Sequence, residues 1–468
     1  MSGIAGVWTG SAAEAPSTVD LMVSAIKHRG SQTRVEYVHT RKSAVALGCL
    51  WREGTTGEIA RSSNTITAIT GSFYHMRTGR NARHVLLRLG QQAGGSDLRA
   101  VVAESGGFAG LVALAGKIYG FRDVNGLKPL YYARKRNVAA FASERKALWR
   151  LGLQDARPVP PGCIVRIGQN GVVKRQVLHF HKPRERKMTL ERASAKLHLL
   201  LIASIRNITA HARGVCVAFS GGLDSAVTAA FAKRAGVELR AISVGLRGSP
   251  EISTVEKFAH QLGLNVSVEI FESESIEEYV RRVLWLIEEP NLMKLSVAIP
   301  LHWAAMVAAR SGFQVMLCGQ GSDELYGGYA KYANTLRLSG RRALINQLYR
   351  SVVESSQINY ERDDQATSPF QVELRTPFAD PDLIRFSLAI PSEFKVKDGG
   401  DTTRKWVLRD VAKAAGVPEE IVWRRKKAIQ HGTGVEKAII KLAKSRGYRP
   451  DEYLSKTFDE VRKLESMP

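Results

Sequence analysis

The sequence predicts an α/β fold whose larger part is a doubly wound parallel sheet, and three observations carry that reading. Apolar runs at 215–219, 239–245, 266–271 and 314–318 recur at helix-length intervals, with helical patterns near 253–263, 275–287 and 301–311 between them. Strands spaced this way pair in parallel, with helices covering both faces. Between the first run and the small-residue helical pattern 226–235 lies Ser220-Gly221-Gly222-Leu223-Asp224-Ser225, a strand, a glycine turn and a helix start. Residues 1 to about 165 have a different texture: short strands and turns with two helical stretches, near 17–27 and 80–104. That contrast separates a first domain from the rest.

Composition fits this plan. A chain of 468 residues holds two or three domains, and 44% hydrophobic with 24% charged residues is ordinary for a globular protein. No apolar run approaches about 20 residues, so no membrane span or membrane partner is expected. The start, Met1-Ser2-Gly3-Ile4-Ala5-Gly6-Val7, lacks the basic and apolar regions of a signal peptide, and a cytoplasmic location is expected. Cys49, Cys163, Cys216 and Cys318 are far apart, which predicts buried thiols rather than a zinc site. The formal charge of +24 would attract polyanions or acidic peptides. The basic residues are scattered and no nucleic-acid module accompanies them, so solvated surface explains most of that charge.

In a parallel sheet, ligands bind at the carboxyl ends of strands. The turn at 220–225 is such an end. Glycines let backbone approach a ligand, and a helix start aims N–H groups and a positive dipole end at an anion. Ser220 and Ser225 add hydroxyls, and Asp224 offers a hard oxygen ligand for Mg²⁺. The Walker spacing is absent.

The hexapeptide resembles the pyrophosphate loop of N-type ATP pyrophosphatases. Gly3-Ile4-Ala5-Gly6, His28-Arg29-Gly30, Phe73-Tyr74, the run Arg122 to Tyr132 and the run Ala142 to Leu148 stand in the order of a wider family. Together with the loop they resemble the glutamine-dependent asparagine synthetases over nearly the whole chain. The resemblance implies an αββα sandwich of the N-terminal-nucleophile hydrolase type over 1–165, a linker over 166–187 and an ATP-dependent amide ligase domain over 188–468; from Pro158 to about Lys187 the chain reads as a linker with a short hairpin. It also marks departures. Ser2 stands where the family has its nucleophilic cysteine. The family's glutamine-binding arginine, oxyanion-hole and acidic runs fall on Gly48 to Arg52, Thr70 to His75 and Asn81 to Leu87, all altered. Losing one oxyanion donor alone costs a factor on the order of a hundred, so the first domain is expected to be a scaffold without glutaminase activity.

In the ligase domain the resemblance implies an ATP site with Mg²⁺. It places Phe219, Ser220, Gly221, Gly222, Asp224, Ser225, Val244, Cys318, Gly319 and Lys426 on ATP, with Asp224 and Asp323 as the metal carboxylates and Lys426 on the α-phosphate. Val244 belongs to Ser243-Val244-Gly245, similar to the segment that packs on adenine, and Asp323 to Cys318 to Tyr329, similar to the family's SGEGADELFGGY run. Gln320 replaces the glutamate that assists aspartyl adenylation, as also happens in beta-lactam synthetases, so a different acyl donor or acceptor is expected. Glu361, Asp363, Asp364 and Glu373 are candidate bases that the sequence does not rank, with Glu361 taken among the catalytic residues. Beyond 330 the pattern is helical, including Lys405 to Arg409, similar to the family's K-x-x-L-R helix.

The reaction implied is adenylation of a carboxylate, followed by attack of an amine. In character the chain is most similar to lasso-peptide cyclases, which close an Asp or Glu side chain of a precursor peptide onto its N-terminal amine. A precursor peptide is then the substrate, with a leader peptidase or leader-binding protein as a further partner. Ammonia-dependent amidation of a small carboxylate and beta-lactam-type cyclisation are the alternatives. An RNA-modifying protein of the same loop superfamily fits the first domain poorly, and an inactive homologue fits Asp224, Asp323 and Lys426 poorly.

Overall fold

The structure, a computed structural model, describes all residues except 1, 11–13, 41–42, 53–58, 63, 76–94, 211, 213, 250–251, 426–428 and 465–468. It divides into two compact units, Met1–His179 with Ser368–Gln371 and Arg462–Pro468, and Phe180–Thr367 with Val372–Val461.

The first unit stacks two six-stranded sheets. One runs, edge to edge, Arg157–Pro158, Tyr131–Lys135, Val138–Ala142, Gly3–Thr9, Ser43–Trp51 and Gln32–Thr40. The other runs Gly171–Gln176, Cys163–Gly168, Lys117–Arg122, Ser105–Leu114, Thr65–His75 and Ile59–Ser62. Neighbouring strands are antiparallel. Alternate residues such as Ile4, Leu47, Ile66, Leu111, Ile118 and Phe141 point between the sheets and form one core. Helix Ala15–Ala25 covers the outer face of the first sheet through Val19, Met22 and Val23. Helix Gly95–Val102 covers the second through Leu98, Val101 and Val102. This is the expected αββα sandwich. The predicted helix 80–104 begins outside the described residues. In the stretch expected as a linker with a short hairpin, Cys163–Gly168 and Gly171–Gln176 pair with each other and extend the second sheet from Lys117–Arg122. Gly171–Gln176 is polar and exposed because it is the edge strand, whereas Cys163–Gly168 inside it is buried.

The second unit is built on a five-stranded sheet ordered Val266–Phe271, Leu239–Leu246, Val215–Ala218, Val315–Leu317, Glu373–Arg375. Every neighbouring pair is parallel. The chain starts at the centre, moves to one edge, then returns to the other side. The order therefore reverses between Val215–Ala218 and Val315–Leu317, where a crevice opens at the carboxyl ends. Glu373–Arg375 corrects the all-helical reading beyond 330; three residues on an edge are too few to show a strand period.

Helix Leu190–Thr209 buries Leu197, Leu201, Ile205 and Ile208, as its sequence pattern predicts, and Thr189 caps it by accepting from Arg192 N. The helix expected at 301–311 runs instead from Leu292 to Arg310, capped by Asn291, whose side chain accepts from Lys294 N at 3.0 Å. Pro300 sits inside it rather than starting it. This helix is long and apolar enough to cross a membrane, but 72% of its most apolar stretch is buried inside the protein. It is a core helix.

Candidate active site

Two turns flank the crevice, one from each central strand. After Val215–Ala218, the Phe219 N–H donates to Ile242 O at 2.8 Å and carries the strand on to the turn. Gly221 then takes a left-handed backbone, φ +65°, and Gly222 caps helix Leu223–Arg234. The turn is cross-braced: Ser225 Oγ donates to Gly222 O at 3.0 Å and lies 3.3 Å from Ser220 Oγ. The second turn follows Val315–Leu317 and enters the short helix Ser322–Tyr326. Gly319 is pressed against the first turn, so that a Cβ there would lie 2.6 Å from Asp224 Cβ. Only glycine permits this approach, and it brings Asp224 and Asp323 together.

A third segment supplies what holds them. Lys405 Nζ lies 2.5 Å from Asp224 Oδ1, 2.7 Å from Asp323 Oδ1 and 2.9 Å from Ser322 Oγ. Two carboxylates thus converge on one cation position. Lys405 is 3% exposed, and it and Arg404 are both left-handed, at φ +57° and +52°. Two consecutive non-glycine residues in that region are strained, by roughly 1 kcal/mol or more each. Asp401 holds the bend. Its carboxylate accepts from Lys397 N, Thr403 N, Arg404 N and Trp406 Nε1, all at 2.8–2.9 Å. Burial alone would raise the Asp401 carboxyl, but these donors bring it below its ordinary value.

The crevice has two parts that share Ser220 and Asp224. The smaller is lined by Gly222, Leu223, Gly328 and Thr403 and by four cations, Lys405, Arg409, Arg424 and Arg425. Its charge suits a polyphosphate. The larger, about 560 Å³, has Phe219, Ile242, Val244, Val297, Leu301 and Cys318 among its apolar walls and Gln320, Asp323, Glu324, Arg362 and Asp363 among its polar ones.

Of the residues expected on ATP, Phe219, Ser220, Asp224, Ser225, Val244, Cys318 and Gly319 line the larger cleft, Gly222 lines the smaller, and Gly221 makes the turn between Ser220 and Gly222. Gln320 is on the cleft wall, its carbonyl accepting from Thr376 Oγ1 at 2.6 Å. Burial pushes the Cys318 thiol up to about 12, so it serves as wall and not as nucleophile. Lys426 lies outside the described residues. Glu361 is a correction: it is 3% exposed, within reach of Ser356 Oγ at 3.4 Å, and does not line the cleft. The carboxylate of helix Glu361–Thr367 on the cleft wall is Asp363, paired with Arg362 at 2.6 Å. Burial raises Asp363 despite that partner.

Two residues had no assigned role in the sequence. Lys405 belonged to a matched motif, but nothing local tied it to aspartates far away in the chain. Glu324 sits beside Asp323 on the cleft wall and accepts from Tyr329 Oη and Asn359 Nδ2, both at 2.9 Å, through Oε1. Burial, then the neighbouring Asp323, raises it.

In the first unit, Ser2 Oγ donates to Thr70 Oγ1 at 3.0 Å, and Thr70 Oγ1 donates to Ser2 O at 2.8 Å. The altered run Asn81 to Leu87 lies outside the described residues. Glu144, fully buried, binds His28, Arg29 and Lys146. All four cysteines are buried.

The family described as asparagine synthase matches residues 196–357 and 338–458, the unit that carries this crevice. The protein assigned as glutamine-hydrolysing asparagine synthetase 1 in Methanocaldococcus jannaschii is 32% identical over 386 residues, 71% of this chain and 70% of that protein. The chain belongs to the asparagine synthase family. Glutamine-hydrolysing asparagine synthetase 3 of Arabidopsis thaliana is 27% identical over 337 residues, 67% of this chain and 56% of that one. The asparagine synthetase of Gallus gallus is 24% identical over 377 residues, 74% of this chain and 65% of that one. The chain therefore spans little more than half the length of the plant relative. An allosteric regulatory enzyme of purine biosynthesis, at 16% identity and a TM-score of 0.34 over 57% of this chain and 80% of that one, is too distant to bear on function.

Enzymes of this family are ATP-dependent carbon–nitrogen ligases that form AMP and pyrophosphate and use Mg²⁺. The residues present fit that ion. Mg²⁺ takes one or two protein carboxylates and completes its shell with phosphate oxygens and water. Asp224 and Asp323 already converge on one cation position, and Asp224 lines the smaller pocket. Among the described residues no group of three or more His, Cys, Asp or Glu forms a cage that would bind a metal without a nucleotide.

Proposed function

We propose that this ligase activates a side-chain carboxylate of a precursor peptide as an adenylate and closes it onto the peptide's N-terminal amine, as lasso-peptide cyclases do. The observation that carries the reading is Gln320 on the cleft wall. At the position where the family's glutamate assists adenylation of aspartate, this chain offers a neutral amide. A site built for free aspartate has thereby lost a charged contact.

Further features support a chain-like substrate. The cleft continues past Asp323 to Tyr329, Lys331 and Ile358, and its wall includes Met293 and Ile358, which are 45% and 38% exposed. Exposed apolar residues beside a deep polar cleft suit a substrate longer than an amino acid. The net charge of +24 favours encounter with an acidic segment.

The substrate carboxylate oxygen attacks the α-phosphorus, the bond to the β-phosphate breaks, and pyrophosphate leaves into the pocket lined by Lys405, Arg409, Arg424 and Arg425. Asp224 and Asp323 would hold Mg²⁺, which would supply charge neutralisation on the phosphates. The amine nitrogen then attacks the acyl carbon, one proton is lost to a base, and AMP departs. Asp363, raised by burial and on the cleft wall, is the better-placed base. Lys426 is proposed to hold charge on the α-phosphate. The altered positions around Ser2 are proposed to leave the first unit without glutaminase activity, so that the nitrogen comes from the peptide itself.

Incubation with ATP, Mg²⁺ and a candidate core peptide should yield AMP and a product lighter by one water. Free asparagine in place of that product would overturn the proposal. A second reading, ammonia-dependent amidation of a small carboxylate, draws support from the likeness to asparagine synthetases.

A further inference from the structure

We propose that Arg424, besides lending its charge to the smaller pocket that it lines, is a positioning residue, which sets the shape of the phosphate-binding turn by holding the Gly221 carbonyl. The inference rests on the reading of that turn as the ATP phosphate site. Gly221 has φ +65°, and glycine's freedom makes the peptide joining it to Gly222 easy to rotate. One face of that peptide is a carbonyl and the other is the Gly222 N–H. Which of them faces the pocket decides whether the turn repels or attracts a polyphosphate. Ser220 and Gly222 line the pocket, whereas Gly221 between them does not.

Arg424 accounts for that orientation. Its Nη1 donates to Gly221 O at 3.0 Å, and its Nη2 lies 3.3 Å from Thr254 Oγ1 on helix Ile252–Gln261. The guanidinium also lies over the Phe258 ring, 5.0 Å from its centroid. Phe258 is 2% exposed and fills the space behind the turn; a Cβ on Gly221 would come 2.8 Å from Phe258 Cδ2. The planar fork is therefore anchored on a hydroxyl and an aromatic face while it holds the carbonyl. Lysine would keep the charge but lose the fork.

A purely electrostatic arginine and a positioning arginine predict different results. Calorimetric binding of Mg-ATP, of pyrophosphate and of adenosine to the full chain separates them. Positioning predicts that Arg424→Lys weakens Mg-ATP and pyrophosphate by about tenfold and Thr254→Val by about threefold. The double variant should be no weaker than Arg424→Lys, because both act through one network. Adenosine affinity and the thermal midpoint should stay at the wild-type values. An Arg424→Lys variant that binds Mg-ATP like the wild type, a silent Thr254→Val, or additive effects would each contradict the inference. Failure of the wild type to bind Mg-ATP at all would instead overturn the ATP-site reading.

Discussion

Lys405, Asp224 and Asp323 form a compact charge cluster, with side chains 3%, 18% and 13% exposed. Removing one partner from a buried pair leaves an uncompensated charge and costs about 3 kcal/mol. Lys405→Met is therefore expected to lower the thermal midpoint, and adding Asp224→Asn should recover part of the loss. Additive destabilisation in the double variant would mean that the ion pair is not what holds the turns. Asp224→Ala should abolish ATP–pyrophosphate exchange with the fold intact; unchanged exchange would show the metal carboxylates to be misassigned. Asp224 and Asp323 were legible because each lies inside a contiguous motif at a strand end. Lys405 was not, because its position depends on a left-handed bend that Asp401 braces. Glu361 and Asp363 could not be ranked from the sequence, because helix rotation, which only packing determines, decides which of them reaches the cleft wall.

At the scale of elements, the turns depend on how closely two strand ends can approach. Gly319→Ala puts a methyl 2.6 Å from Asp224 Cβ and should separate the turns, with nucleotide affinity falling more than global stability. Equal losses in both, compared by calorimetry and urea unfolding, would contradict that. Helix Leu292–Arg310 carries His302, 0% exposed, whose Nδ1 donates to Ala366 O at 2.9 Å. Burial lowers its imidazole from 6.5 to about 4. In the unfolded chain it takes a proton near pH 6.5, which the folded chain refuses until about 4. This contribution is thus complete above 6.5 and is lost as the pH falls toward 4. The urea midpoint should drop between about pH 7 and pH 5, and drop less in His302→Gln. Equal slopes would assign the acid sensitivity elsewhere. The strand Leu239–Leu246 was readable because it is buried and mostly apolar from Ala241 on, and the edge strand Val266–Phe271 because Val266, Val268 and Ile270 alternate with polar residues. Pro300 hid the first half of its helix, since a proline reads as a boundary although a buried, well-capped helix tolerates it.

For the whole molecule, the division into a strand-rich first unit and a nucleotide-binding second unit was visible as a change in hydrophobic period. That the hairpin 163–176 joins the second sheet was not visible, because its pairing with Lys117–Arg122 is a contact between segments far apart in the sequence. The first unit keeps its architecture while Ser2 engages Thr70 through paired hydrogen bonds. Glutamine should accordingly not be hydrolysed, and an assay for released glutamate would expose the error if it were. The central claim is that ATP is cleaved between its α- and β-phosphates to activate a carboxylate. The most direct measurement is to resolve the labelled nucleotide products formed during turnover with Mg²⁺ and a core peptide. AMP and pyrophosphate in step with the amide bond are predicted; ADP and orthophosphate would contradict the account.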